Sequence, residues 1–529
     1  MALASVIFLV LAFPAFGQIW SAWIALVPWL ELLRAGSARR AWWWSYAIGA
    51  GFFLGSMWWL IHVTVVGWLM LCAYLACYFG GFGWCVHRMA QAPLSSLQRP
   101  AAIAAAWVAL EYARAHVFSG FGWNLLAYSQ TSWHPLIQVA DLTGAWGVSF
   151  VIVFVNVAIA AGLHAMAQRR QQRRRRTARV QGVLPQGAAA STLLLMVLGY
   201  GMWRSHHVAL GAPIRVAVVQ GNIPQEQKWD QAHVRTIMER YEALSRQAAS
   251  TAPQLIVWPE TAVPGYLEMD AGLTDQLLGL VKSVRIPFLV GVPMVRGDPT
   301  AWFSTNSAVL IDELGRIQGR YDKIHLVPFG EFIPLEGRLP WLRTVLPPIG
   351  DFVRGTQETV FPLTVSRVTI PVSADQPRRT TVNFKRGISA LICFEDVFPE
   401  LARRFVRKGA QLLAVITNDA WFGPTAAAYQ HAQASTFRAV ELRVPLVRAA
   451  NTGWSGCVDV TGRWVASVRD PQGRELFVDG TQTCEVRLSP ARTLALRWGD
   501  WFALACVLGV VAWLSRHRRA RRTHRKKAR

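Results

Sequence analysis

Acidic residues are scarce: 31 Asp and Glu stand against 55 Lys and Arg, for a formal net charge of +24. An excess of that size suits nucleic-acid binding only when it covers a folded face. Here it is concentrated instead. Seven arginines crowd between Arg169 and Arg179, and nine basic residues lie between Arg516 and Arg529, each group beside an apolar run. Such clusters read as cytoplasmic membrane flanks, which fix orientation and meet anionic lipid heads. No nucleic-acid partner is expected. Cysteine is also sparse. The seven cysteines are odd in number and scattered, which excludes a metal-spacing pattern and a disulfide framework. Cys72, Cys77, Cys85 and Cys506 fall in apolar runs, and Cys457 and Cys484 could pair if they face each other but are expected to be reduced core residues. A Gly-rich phosphate loop and a His/Cys cluster are both missing, so no nucleotide, metal or other cofactor is expected. No repeat or low-complexity segment stands out beyond the two arginine runs.

Apolar residues are abundant. They make up 53% of the chain, with 25 Trp and 25 Phe, and the mean hydropathy is +0.25. The first eighteen residues have no Lys or Arg ahead of their apolar stretch, and a second run, Ile19 to Leu33, follows at once. They read as a retained span and not as a signal peptide. Further runs are Ala41 to Leu60, Val65 to Val86, Ala101 to Val117, Gly144 to Ala165, Ala188 to Trp203 and Trp498 to Leu514. Several approach the ~20 residues that a helix needs to cross hydrocarbon. Taken as eight spans, they place every strong basic cluster on one side. Both termini are then cytoplasmic, and the region between spans seven and eight is periplasmic. The expected domains are a membrane bundle over 1–205, a catalytic domain over 206–496, and a last span with a basic tail over 497–529. Glu111 is a carboxylate inside a span, and so either a functional group or a hydrogen-bonded partner of Arg114. The loop from Phe118 to Leu142 carries Trp123, Tyr128 and Trp133, side chains that suit the headgroup layer.

Between 206 and 496 strand-like runs alternate with helical ones, which predicts a mostly buried sheet system with helices outside. Three strands end at reactive groups. Gly387–Asp396 stops at Cys393, Glu395 and Asp396, Leu255–Glu260 stops at a carboxylate, and Tyr321–Glu331 carries Lys323 before a Pro/Gly turn. A cysteine after an apolar strand is more often a small buried hydrophobe than a nucleophile. The other two stretches change that weighing. A thiol nucleophile needs a base and a positive group for the oxyanion, and reactive groups gather at the carboxyl ends of strands.

In this order the three segments resemble the Glu-Lys-Cys triad of the nitrilase superfamily. With the apolar runs, nearly all 529 residues resemble the bacterial apolipoprotein N-acyltransferases. The most specific pieces are Gln220–Gln225, Trp258–Glu260, Pro328–Phe332 and Asn418–Gly423. The resemblance implies a multi-span α-helical membrane bundle plus a periplasmic α/β nitrilase-like αββα sandwich domain. It implies Cys393 as nucleophile, Glu260 as general base, and Lys323 with the backbone N–H of Phe394 at the oxyanion. Glu331 becomes a second essential glutamate that holds the lysine or handles the acceptor amine. Glu395 either orders the loop after the nucleophile or joins the chemistry. Asn306 and Asn418 orient backbone or substrate. Trp229 and Trp421 either line the acyl or headgroup site or belong to the core. Many relatives carry tyrosine where Phe394 stands, so no hydroxyl role is expected there.

The implied reaction moves an acyl chain from a phospholipid, phosphatidylethanolamine in the usual case, onto Cys393 and then onto an apolipoprotein amine. The implied setting is a monomer in the bacterial inner membrane. A membrane-anchored amidase hydrolysing a small amide would share the triad, but one anchor would suffice for it. A transporter or receptor would show polar residues through several spans, and few are seen. A candidate lid runs from Leu335 to Thr356, with Trp341 and Leu346.

Overall fold

The computed structural model of the chain describes residues 1–172, 183–298, 301–333, 338, 351–369 and 380–527. Most of the candidate lid, including Trp341 and Leu346, lies outside them, as do positions 173–179 of the first arginine cluster. The chain divides into two compact units. One comprises Met1–Val208, Thr425–Gln433 and Arg492–Arg529, and the other Ala209–Pro424 and Ala434–Ala491.

The first unit is helical. Its longer helices are Ala38–Ser56, Val65–Ala90, Gln98–His116, Ala145–Gln172, Val183–His206 and Trp501–Lys527. Two helical stretches, Val65–Ala90 and Ala145–Gln168, are long and apolar enough to cross a membrane. The expected run Ile19 to Leu33 is broken. It forms a short turn, Ile19–Trp23, and a six-residue helix, Val27–Leu32, with Pro28 at its start, where a missing N–H costs nothing. Glu111 accepts the backbone N–H of Leu126 at 2.7 Å. Arg114 donates to the carbonyls of Phe121 at 3.2 Å and Trp123 at 2.7 Å. This pair of residues ties down the loop that follows its own helix. Trp123 and Tyr128, expected at a headgroup layer, are buried, at 4% and 1% exposure. The Trp123 indole N–H finds its acceptor in the Gln430 side chain of the same unit, at 3.0 Å.

The second unit is built on twelve strands among the described residues. They are β1 (Pro213–Gln220), β2 (Leu255–Val257), β3 (Phe288–Asp298), β4 (Ala301–Ile311), β5 (Ile317–Asp322), β6 (Phe361–Thr369), β7 (Thr380–Ile392), β8 (Leu412–Thr417), β9 (Leu446–Ala450), β10 (Gly456–Val458), β11 (Trp464–Ser467) and β12 (Gly480–Arg487). Two six-stranded sheets result, ordered β12-β1-β2-β3-β4-β5 and β11-β10-β9-β8-β7-β6. In the first, β1, β2 and β3 run parallel. In the second, β7, β8 and β9 do.

Central parallel strands are covered on both faces and read as unbroken apolar runs. β2 and β8 are buried at every position. On β1, Ala217 and Val219 join a core with Ile237, Met238 and Tyr241 of helix Val234–Ala249 and with Leu277 of helix Ala271–Val284. The alternate residues Val216 and Val218 point the other way and are equally buried. The first sheet is therefore an inner layer, and β1–β9 and β4–β7 contacts join it to the second.

Cys457 and Cys484 correct the reduced-core expectation. Cys457 on β10 and Cys484 on β12 belong to different sheets that touch at these strands, and their Cα atoms are 6.6 Å apart in a disulfide. β6 is an addition to the expected strands. Pro362 interrupts its pattern, yet β6 is an edge strand, where a missing N–H is tolerated.

Candidate active site

Strand direction brings the reactive groups together. β4 is antiparallel to β3, and β5 is antiparallel to β4, so β5 runs with β2. Glu260, just past β2, and Lys323, just past β5, therefore leave the first sheet at the same end of its strands. Cys393 follows β7 and Asn418 follows β8, side by side in the second sheet, where Ile392 pairs with Ile416.

Trp258 anchors the first of these ends. Its ring stacks on Tyr241 at 4.7 Å, and its indole N–H donates to Ser245 at 2.9 Å. The neighbouring strand passes so close that a Cβ on Gly291 would sit 2.2 Å from the Pro259 carbonyl oxygen. A side chain there would push the Glu260 backbone aside. Thr261 then takes a left-handed φ of 45°. Cys393 is also left-handed, with φ 54°, at the start of the turn Cys393–Val397. Non-glycine residues held in that region cluster at functional sites.

Glu260 is buried and accepts at both oxygens. Oε1 takes the Asn306 amide at 2.6 Å and the Lys323 ammonium at 3.4 Å, and Oε2 takes the Asn418 backbone N–H at 2.9 Å. Lys323, 1% exposed, also pairs with Glu331 at 2.9 Å. Asn306 donates to Glu331 at 3.0 Å, and the Val327 N–H does so at 2.9 Å. One amide thus bridges the two glutamates, with the lysine between them. Burial alone pulls the Lys323 ammonium down, but Glu331 and Glu260 outweigh it and hold it well above its ordinary value. For Cys393, burial pushes the thiol up, and Glu260 adds to this against the pull of Lys323 and a Thr417 hydrogen bond. The resting group is a thiol, so a base must take its proton as it reacts.

Glu395 has a different environment. It is fully buried and accepts from the N–H groups of Ile324, His325 and Ile392 at 2.8, 3.0 and 2.8 Å, and from the Tyr321 hydroxyl at 2.8 Å. The carboxylate ties the strand end before Lys323 to the turn Cys393–Val397. Phe394 is buried on Phe398, with ring centroids 5.1 Å apart. Asn418 donates to Gln225 at 2.7 Å and accepts from Asn451 at 3.1 Å. Trp421 is half-buried, and Trp229 is 47% exposed and so no part of the core.

Several contributors escaped the sequence reading. Asp396, next to Glu395, pairs with Arg448 at 2.9 Å and accepts from the Ser435 hydroxyl. Arg448 reaches Asp419 at 3.4 Å. Arg438 donates to the carbonyls of Asp396 and Val397, both at 3.2 Å. All these groups are buried. The available signal was Arg448 itself, a charge inside the apolar run Leu446–Ala450, which demands a buried partner. Lys228 is a second buried lysine, donating to the Glu260 carbonyl at 2.9 Å.

The N-terminal domain of apolipoprotein N-acyltransferases matches residues 5–158, and the carbon-nitrogen hydrolase domain matches residues 215–489. An apolipoprotein N-acyltransferase of Geobacter metallireducens is 37% identical over 98% of this chain and 95% of the relative. The chain belongs to the apolipoprotein N-acyltransferase family. One from Methylococcus capsulatus is 32% identical, covering 99% of this chain and 97% of that one. Among solved structures, an amidase of the nitrilase superfamily from Nesterenkonia is 21% identical with a TM-score of 0.37, covering 55% of this chain and 95% of the amidase. The protein is thus an acyltransferase of lipoprotein maturation, and its second unit is a nitrilase-like α/β fold.

Proposed function

We propose that Cys393 carries the acyl group, Glu260 moves the protons and Lys323 holds the oxyanion. The observation that carries this reading is the junction at Glu260, which is bound at once by Lys323 from β5 and by the backbone N–H of Asn418, which follows β8 beside the strand of Cys393. Glu260 takes the thiol proton as Sγ attacks the ester carbon of a phospholipid, with phosphatidylethanolamine as the donor. The Lys323 ammonium and the Phe394 N–H stabilise the oxyanion. The ester C–O bond breaks, and Glu260 returns the proton to the departing lysophospholipid. The α-amine of a diacylglyceryl-cysteine then attacks the thioester. Its proton goes to Glu260, the C–S bond breaks, the thiolate is reprotonated and the new bond is an amide. Glu331 holds Lys323 in place through both steps, while Trp229 and Trp421 flank the acyl or headgroup path.

In this reading 1–205 form a bundle of about seven spans, 206–496 a periplasmic catalytic domain, and 497–529 the last span and cytoplasmic tail of a monomeric inner-membrane enzyme. Outward side chains on the first unit support it. Leu69, Met70, Leu195, Met196, Leu508 and Val511 are each at least half exposed, and such a surface suits lipid better than water. The Cys457–Cys484 bond also supports it, since disulfides persist in oxidising compartments such as the periplasm.

Incubating the purified protein with acyl-labelled phosphatidylethanolamine tests the reading. Label is expected on the Cys393 peptide and is expected to leave on addition of a diacylglyceryl-cysteine peptide. Cys393→Ala is expected to lose at least ~10⁴-fold in transfer, as removal of a nucleophile does. Equal labelling of that variant, or discharge to water alone, would refute the assignment.

A further inference from the structure

Lys228 plays no part in the scheme above, yet it is 3% exposed and lies against the strand end that carries the base. Its ammonium donates to the backbone carbonyl of Glu260 at 2.9 Å, the one acceptor it reaches among the described residues. The loop holding it is pinned at two further points. The Ile223 N–H donates to Asn451 at 2.9 Å, and Gln225 accepts from Asn418 at 2.7 Å. An ammonium buried with a single neutral acceptor is costly unless nearby negative charge compensates. Glu260 and Cys393 are the groups whose charge it feels.

We propose that Lys228 is a positioning residue for the nucleophile, the second positive charge that lets Cys393 give up its proton inside the pocket. This deepens the proposed mechanism and rests on Cys393 being the nucleophile. The formal charges explain why a second cation is needed. Glu260 and Glu331 are balanced by Lys323 and Lys228. Moving the thiol proton to Glu260 leaves that sum at zero, so the buried pocket never has to hold net charge. Without Lys228 the pocket is left one unit negative, and burial resists forming a thiolate there. The remaining charges do not fill the gap. Asp419 faces the thiol but is paired with Arg448, and Glu395 is taken up by three backbone amides and Tyr321. On the loop itself Glu226 and Asp230 are exposed, and Asp230 pairs with His233. Burial brings Lys228 down to about 8, opposed by the charges of Glu260 and Cys393. It is therefore charged at neutral pH and discharges just above it.

The test uses the full-length protein in detergent with two readouts between pH 6 and 10. One is iodoacetamide labelling of Cys393, followed on its own peptide. The other is single-turnover acylation from labelled phosphatidylethanolamine. Lys228→Met is expected to slow acylation about 10²-fold, the size of one lost electrostatic contact, and to move the onset of Cys393 alkylation to higher pH. Lys228→Arg keeps its charge throughout this range. It is expected to restore most of the rate and to abolish the parent's fall in acylation above pH ~8. If Lys228→Met kept the parent alkylation profile, or Lys228→Arg kept the parent's alkaline fall, the inference would fail. Should Lys228→Met not fold, the Arg variant decides alone. The alkylation profile does not depend on acyl transfer. A parent that never carries acyl on Cys393 would overturn the mechanism, whereas unchanged profiles in an acylating parent would overturn Lys228 alone.

Discussion

Glu260 and Glu395 stand where strands of the second unit run out, one past β2 and the other past β7, and both are buried. Their donors differ. Glu260 is held by a side-chain amide, an ammonium and a single backbone N–H. Glu395 is held by three backbone N–H groups and a tyrosine hydroxyl. Backbone donors cannot turn away when the carboxylate gains a proton. A charged side chain responds to that change, and in the proposed mechanism it is the group that meets the oxyanion. The first pocket is suited to passing protons and the second to fixing the distance between two loops. Burial alone therefore does not separate the two carboxylates. The identity of their donors does.

Glu260→Gln should break this contrast most severely. The amide cannot accept a proton, so acylation of Cys393 should fall by about 10²–10⁴-fold, the usual share of a general base. Both oxygens of Glu260 accept, so the glutamine NH₂ meets a donor and the melting temperature should fall as well, and the rates are compared per folded molecule. A variant that acylated within threefold of the parent would remove Glu260 from the mechanism. Lys323→Met should come next, with about 10²–10³-fold in rate. It also leaves Glu260 and Glu331 facing each other across Asn306 with no cation between them, so a stability loss should accompany the rate loss. A Lys323→Met protein with full acylation and a lower melting temperature alone would move Lys323 into the structural class with Glu395.

The strand ends before Glu260 and Cys393 were legible because each closes an apolar run, Leu255–Val257 and Ser389–Ile392, whereas Lys323 follows the mixed strand Ile317–Asp322 and stood out by its charge before a Pro/Gly turn. What stayed hidden depends on partners remote in the chain. Arg448 reads as an odd charge in a strand until Asp396 and Asp419 come into reach. Lys228 reads as a loop lysine beside a more conspicuous tryptophan, and its meaning lies in a carbonyl 32 residues away. The pairing of Cys457 with Cys484 required two sheets to meet, which no spacing rule encodes. Trp123 and Tyr128 looked like headgroup aromatics because loops usually run over surfaces. This loop is drawn inward by Glu111 and Arg114. Pro362 hid β6, since proline argues against a strand unless that strand lies at an edge.

Glu395→Gln sharpens the contrast from the other side, with a smaller effect on rate and a distinct one on stability. Burial raises the Glu395 carboxyl from 4.5 to about 7, against the pull of the His325 and Ile392 amides and the Lys323 charge. The folded state therefore binds this proton more tightly than the unfolded chain does. Stability from this group is full below about pH 4.5 and declines as the pH rises to about 7, by roughly 3 kcal/mol over the window. A neutral glutamine cannot titrate, so the variant should lose that slope. At the acid end it should also be less stable by about 1–3 kcal/mol, because its NH₂ group meets a backbone N–H where an oxygen stood. Melting curves from pH 4.5 to 8, run beside acylation rates per folded molecule, separate the two effects. If Glu395→Gln kept the parent's slope, the carboxylate would not be carrying the proton assigned to it. If it acylated as slowly as Glu260→Gln while melting like the parent, the distinction between a pocket that moves protons and one that holds loops would collapse.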